Sequence, residues 1–211
     1  MSTGIFGGTF DPIHIGHLRT ALEMRSLIGL ARMLLVPCGD PPHKEYPMTP
    51  AADRLAMLRR AVVDEPTLVV DTREIDRGGL SYTIDTLVEL RAELGDGEPL
   101  CLCIGMDSLV NIDSWRRWRE FLDLAHIAVA ARPGWRVPEK GEVAQWLAQH
   151  LVADAGALLA SPAGSIFIEE MTLLPISATN LRSMLARGES IRYLTPDGVI
   201  DYIHSRHLYV Q

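Results

Sequence analysis

Three short stretches of this chain are apolar at almost every position: Met33-Leu34-Leu35-Val36, Leu100-Cys101-Leu102-Cys103-Ile104 and His126-Ile127-Ala128-Val129-Ala130. A strand with one wet face alternates apolar and polar residues. An unbroken apolar run marks a strand covered on both faces, the habit of parallel sheets. Residues 3–6, 68–70 and 165–169 read as further strands, six in all. Between them apolar residues recur at helical spacing. Leu18, Ala21, Leu22 and Ile28 follow Ile15 and close on Gly29, a helix stop. Leu55, Leu58 and Val62 follow Thr49-Pro50, an N-cap and first helical residue by their types. Residues 81–94 carry Ile84, Leu87 and Val88, and residues 141–152 read as a surface helix. Two last helices are residues 179–186 and a segment capped by Thr195-Pro196, with Val199, Ile200 and Ile203 inward. Strands alternating with helices predict an α/β fold: a doubly wound, mostly parallel sheet with helices on both faces. Such sheets bind ligands at the carboxyl ends of their strands, where the strand order reverses.

A length of 211 residues is ~1.4 typical domain lengths, so a single domain over residues 1–211 is expected. Apolar residues make up 47% and charged residues 22%, which excludes a disordered, coiled-coil or fibrous chain. No apolar run approaches the ~20 residues of a membrane span. No Lys or Arg precedes Arg19 and no apolar leader follows, so no signal peptide is expected. Twenty basic residues against 27 acidic ones give a net charge of −7, a poor match for nucleic acid. An anionic ligand must therefore meet a local positive site. Cys38, Cys101 and Cys103 form no disulfide framework, which points to a reducing compartment, the cytoplasm.

The richest segment leaves the first strand: Gly7-Gly8-Thr9-Phe10-Asp11-Pro12-Ile13-His14-Ile15-Gly16-His17. Two glycines let backbone N–H groups approach an anion closely, and the helix from Ile15 aims its positive end at the same place. His14 and His17, three apart at a helix start, put their rings on one face. Together these suit a polyphosphate. Neither a Walker A loop nor a Gly-x-Gly-x-x-Gly fingerprint is present. Each part has a plainer meaning alone: a turn for the glycines, a metal pair for the histidines. Ser177 and Thr179 could simply cap a helix, Asp107 likewise, and Lys44 and Arg132 could be solvated charges. Trp115 and Trp118, three apart, could both be core, and Cys101 and Cys103 share one strand face as small buried residues.

The glycine loop followed by His14-Ile15-Gly16-His17 resembles the nucleotidylyltransferase superfamily. Within it, the chain is similar to the bacterial nicotinate-nucleotide adenylyltransferases through Pro41-Pro42-His43-Lys44, Ser81-Tyr82-Thr83, Gly105-Met106-Asp107-Ser108-Leu109, Trp115, Arg132-Pro133-Gly134 and Ile176-Ser177-Ala178-Thr179-Asn180-Leu181-Arg182. The resemblance implies a Rossmann-like fold and transfer of AMP from ATP to nicotinate mononucleotide, releasing pyrophosphate. It assigns His14, His17 and Arg182 to catalysis. Gly7, Gly8, Thr9, Phe10, Ile104, Gly105, Asp107, Ser177 and Thr179 would bind ATP with them. Lys44, Thr83, Asp107, Trp115 and Arg132 would bind the mononucleotide, with Trp118 structural. Mg²⁺ would ride on substrate phosphates, with no protein ligand named. Many relatives carry a second Ser where Ala178 stands, which removes one hydroxyl but no backbone N–H.

Overall fold

The computed structural model of the chain describes residues 1–41, 49–131, 134, 136–171 and 174–210. Lys44 and Arg132 lie outside the described residues. Seven parallel strands form one sheet: β1 (Thr3–Gly8), β2 (Arg32–Pro37), β3 (Leu68–Val70), β4 (Leu100–Gly105), β5 (His126–Ala131), β6 (Leu151–Val152) and β7 (Ile166–Glu170). Their order is β3-β2-β1-β4-β5-β7-β6. The apolar runs lie at its centre, where alternate residues serve opposite faces. Met33, Leu35, Cys101, Cys103, Ala128 and Ala130 enter the core on one face. Leu34, Val36, Leu102, Ile104, Ile127 and Val129 enter the core on the other. Neither face is wet, so no polar alternation survives in these strands.

The first face is covered by α1 (Ile15–Ile28), α2 (Ala51–Ala61), α8 (Ala178–Ala186) and α9 (Asp197–Ser205). The second is covered by α4 (Thr83–Leu94), α5 (Met106–Val110), α6 (Phe121–Leu124) and α7 (Glu142–His150). A short α3 (Arg73–Arg77) precedes α4. The chain first steps outward from β1 to β2 to β3, then returns to lay β4 on the other side of β1. That reversal puts the switch point between β1 and β4. The expected doubly wound, Rossmann-like sheet is thus borne out, and it is parallel throughout.

Several boundaries differ from expectation. β1 runs on through Gly7 and Gly8, because pairing with Val36 and Pro37 of β2 outweighs glycine's poor strand propensity. Pro50 is the cap of α2 instead of its first residue. The buried stripe of α2 is Arg54, Met57 and Leu58, so the helix is turned from the expected Leu55, Leu58 and Val62. In α4 the inward residues are Ile84, Leu87 and Leu90, while Val88 is exposed. Residues 141–152 are not one surface helix. The helix ends at His150, buries Val143, Trp146 and Leu147, and gives way to β6, an added edge strand beside β7. Thr195 does not cap α9, since its hydroxyl donates to the Ile13 carbonyl at 2.8 Å. The short α3 carried too few residues to show a period.

Candidate active site

The start of α1 is built by two histidines that cap one another. Nδ1 of His14, the N-cap residue, accepts from the His17 N–H at 3.3 Å, and Nδ1 of His17 accepts from the His14 N–H at 3.3 Å. This is a capping box with imidazoles in both roles. The rings stack with centroids 3.6 Å apart and planes 20° apart. Gly16 makes room for the stack, since a Cβ there would lie 3.0 Å from His14 Nδ1. Because both Nδ1 atoms accept, the proton of each neutral ring belongs on Nε2, which becomes a donor away from the helix. Burial pushes the His14 pKa from 6.5 down to about 4, so this ring is neutral near pH 7.

The loop before α1 is pinned from the far end of the chain. Arg182 Nη1 donates to the Asp11 carbonyl at 2.7 Å, and the Ile15 N–H donates to the Leu194 carbonyl at 2.9 Å. The Tyr209 hydroxyl donates to the buried Asp11 carboxylate. Phe10 takes a left-handed φ of 50°, and its ring packs edge-on against His17 at 5.3 Å.

A cleft of about 800 Å³ opens at the carboxyl ends of β1 and β4, the switch point. Gly7, Gly8, Thr9, His14 and His17 form one wall. Ile104, Gly105 and Asp107 contribute from the end of β4, and Ser177 from the start of α8. Thr83 and Trp115 line the other end. The fold therefore brings most of the expected residues to one place. Phe10, Thr179 and Arg182 do not line the cleft. Phe10 lies buried behind Gly8, where a Cβ would meet its ring at 2.9 Å. Arg182 is the fifth residue of α8 and bonds the Asp11 carbonyl and the Thr179 hydroxyl. Ser177 does cap α8, accepting from the Asn180 N–H at 3.2 Å. Asp107 does not cap α5, whose cap residue is Gly105.

The cytidylyltransferase-like family profile matches residues 5–184. An Aeromonas salmonicida protein called "Probable nicotinate-nucleotide adenylyltransferase" is 50% identical over 206 residues, 98% of this chain and 96% of that protein. A Cellvibrio japonicus protein of the same name is 48% identical over 206 residues, 98% of this chain and 97% of its own. This chain belongs to the nicotinate-nucleotide adenylyltransferase family. The structure of Plasmodium falciparum nicotinic acid mononucleotide adenylyltransferase complexed with NaAD shares the fold, with a TM-score of 0.74 at 19% identity. The match covers 99% of this chain and 97% of that one.

The cleft of this family member also holds residues that spacing did not single out. Glu74, from α3, is buried in the lining and accepts from the Thr86 hydroxyl at 2.7 Å and from Ser81. Burial raises its pKa, while those hydroxyls oppose the rise. Arg116 lies over the Tyr82 ring, 4.8 Å from its centre, and both line the cleft. Its neighbours Arg117 and Arg119 pair with Glu120 and Glu142, but Arg116 has no ion pair among the described residues. Ion pairing, local for Arg117 and long-range for Arg119, distinguishes those two from Arg116. Trp115 and Trp118 fall on separate turns. Trp118 is buried edge-on against Trp146 at 5.0 Å, and Trp115 faces the cleft.

Proposed function

We propose that the protein transfers the adenylyl group of ATP to nicotinate mononucleotide, giving deamido-NAD and pyrophosphate. The observation that carries this reading is the mutually capped His14–His17 pair beside the glycine backbone at the β1/β4 switch point. A phosphate oxygen of the mononucleotide attacks the α-phosphorus of ATP. The bond from that phosphorus to the bridging oxygen breaks, and pyrophosphate leaves with the electron pair. The nucleophile is already anionic, so no general base is needed. The protein's work is alignment and charge stabilisation.

In this reading His17 and His14 donate from Nε2 to phosphate oxygens, most strongly as charge grows toward the leaving group. Backbone at Gly7, Gly8 and Thr9 lines the nucleotide, with Phe10 supporting it from behind. Ser177 and the positive end of α8 face the triphosphate tail. Asp107 accepts from ribose hydroxyls beside Ile104 and Gly105. Arg182 acts through the Asp11 carbonyl and Thr179, which it holds. Trp115 stacks on the pyridine ring, Thr83 meets its carboxylate, and Lys44 and Arg132 take the mononucleotide phosphate by resemblance.

Among the described residues no group of three or more His, Cys, Asp and Glu could hold a metal. The histidine Nδ1 atoms are engaged with backbone N–H groups. Such a donor set suits Mg²⁺ carried by triphosphate oxygens and water. Among the described residues no helix is long and apolar enough to cross a membrane. A cytoplasmic setting is supported by the low and odd cysteine count, Cys38, Cys101 and Cys103. The reaction is tested by following pyrophosphate release with ATP, Mg²⁺ and four acceptors: nicotinate mononucleotide, its amide, phosphopantetheine and glycerol phosphate. Release confined to the pyridine mononucleotides is expected. Release only with another acceptor, or with none, overturns the reading.

A further inference from the structure

Arg54 is fully buried, on the inward stripe of α2. Its Nη1 donates to the Thr9 carbonyl at 2.8 Å, Nη2 to the Gly39 carbonyl at 2.9 Å and Nε to the Thr49 carbonyl at 3.2 Å. Thr9 follows β1, Gly39 follows β2, and Thr49 precedes α2. One planar fork thus joins three segments that meet at the carboxyl edge of the sheet. All three acceptors are neutral, and among the described residues Arg54 has no ion pair. Three nearby carboxylates among the described residues are engaged elsewhere. Asp53 accepts from Tyr202 and faces Arg206, Asp11 accepts from Tyr209, and Glu74 accepts from Thr86.

A second buried arginine shows what a purely architectural role looks like. Arg91 donates to the carbonyls of Leu124, Gly95, Glu98 and Pro162. These residues lie at the amino ends of the strands, away from the cleft. Its charge is also supported by Asp96 and Glu98. Arg54 differs on both counts. Its partner Thr9 lines the cleft, as does Cys38, whose Sγ lies 4.0 Å from Nη1. A buried charge without a counter-ion is unfavourable, and an anion on the far side of the Thr9 backbone would relieve it.

We propose that Arg54 is a positioning residue for adenylyl transfer: it fixes the loop after β1 against the loop after β2, and its buried charge is balanced by the substrate phosphates. The proposal rests on the adenylyl-transfer reading. A lysine at this position keeps the charge and loses the fork, and a methionine loses both. Arg54→Lys, Arg54→Met and the control Arg91→Met are compared with the wild type well below their melting temperatures. KM values for ATP and nicotinate mononucleotide are measured, with Kd values for inorganic pyrophosphate and adenosine.

Arg54→Met should weaken pyrophosphate and both substrates at least about tenfold, or ~1.4 kcal/mol. Adenosine, which has no phosphate, should change less than about twofold. Arg54→Lys should fall between the wild type and the methionine variant. Arg91→Met should lower the melting temperature and leave KM unchanged. Equal losses in the lysine and methionine variants, with adenosine affected as much as pyrophosphate, would reduce Arg54 to architecture and overturn the proposal. So would an Arg54→Met variant with wild-type constants. If no variant folds, the wild type labelled with ¹⁵N-arginine decides. Pyrophosphate should shift the Arg54 guanidinium signal and leave that of Arg91 in place, and an unmoved Arg54 signal refutes the charge role. Pyrophosphate binding does not depend on the acceptor, so a wild type inactive on every mononucleotide defeats the reaction reading and still leaves Arg54 tested.

Discussion

Replacing His14 with Asn should remove a pH dependence of stability that burial of the imidazole imposes on the wild type. Asn is a good N-cap, so its side-chain oxygen can still accept from the His17 N–H. The unfolded chain protonates His14 near pH 6.5, and the folded chain only near pH 4. Between those values the unfolded state holds a proton that the folded state refuses. Stability is therefore full above pH 6.5 and declines as pH falls toward 4, with no further loss from this residue below that. From pH 7.5 to 4.5 the loss is about 2.5 kcal/mol, at 1.36 kcal/mol for each unit of separation. Burial also pushes down the His126 pKa, but that effect is common to both proteins and cancels in their difference. Urea unfolding of wild type and variant at half-unit steps across this range gives the comparison. The variant should gain about 2.5 kcal/mol on the wild type between pH 7.5 and 4.5. A difference that stays constant with pH would refute a His14 buried in its neutral form.

His17→Ala should lower kcat by ~10²–10³ while the fold persists, since His14 still caps α1 and one transition-state donor is lost. A near-wild-type kcat would remove His17 from the chemistry. Tyr209→Phe strips the buried Asp11 carboxylate of its phenol donor and should cost ~1–3 kcal/mol of stability, read by chemical denaturation. Unchanged stability would sever the C-terminal segment from the loop before α1. Nicotinate mononucleotide should be preferred over its amide by at least about tenfold in kcat/KM, because donors facing a carboxylate are left unpaired by an amide NH₂. Trp115→Ala should weaken both acceptors together, and a loss confined to the acid would contradict stacking.

The sheet was legible because its physics is local. Leu100 to Ile104 carries no polar residue because β4 is covered on both faces, so the run announces its own burial. The His14–His17 stack was legible for the same reason, since a spacing of three at a helix start leaves the two rings little choice of neighbour. The errors arose where tertiary contacts outweigh local preference. Gly7 and Gly8 read as the end of a strand until β2 pairs with them. Val88 has the apolarity of a core residue and the position of a surface one.

Arg54 shows why part of the site was not legible. At helical spacing its neighbours Met57 and Leu58 mark the buried face, and a charged residue on that face argues against the phase it actually has. The stripe of Leu55, Leu58 and Val62 avoids the contradiction and is therefore the better local reading. What reverses it is a set of carbonyls that α2 does not contain, one of them 45 residues away at Thr9. Those carbonyls belong to segments that meet at the carboxyl edge of the parallel sheet, beyond the last residues of β1 and β2. The guanidinium satisfies them and thereby becomes buried. The burial of Arg54 is thus a consequence of the same strand ends that form the cleft. A charged residue in an otherwise apolar helical stripe, when that helix follows a strand of a parallel sheet, is therefore a signal to look for loop carbonyls near the ligand.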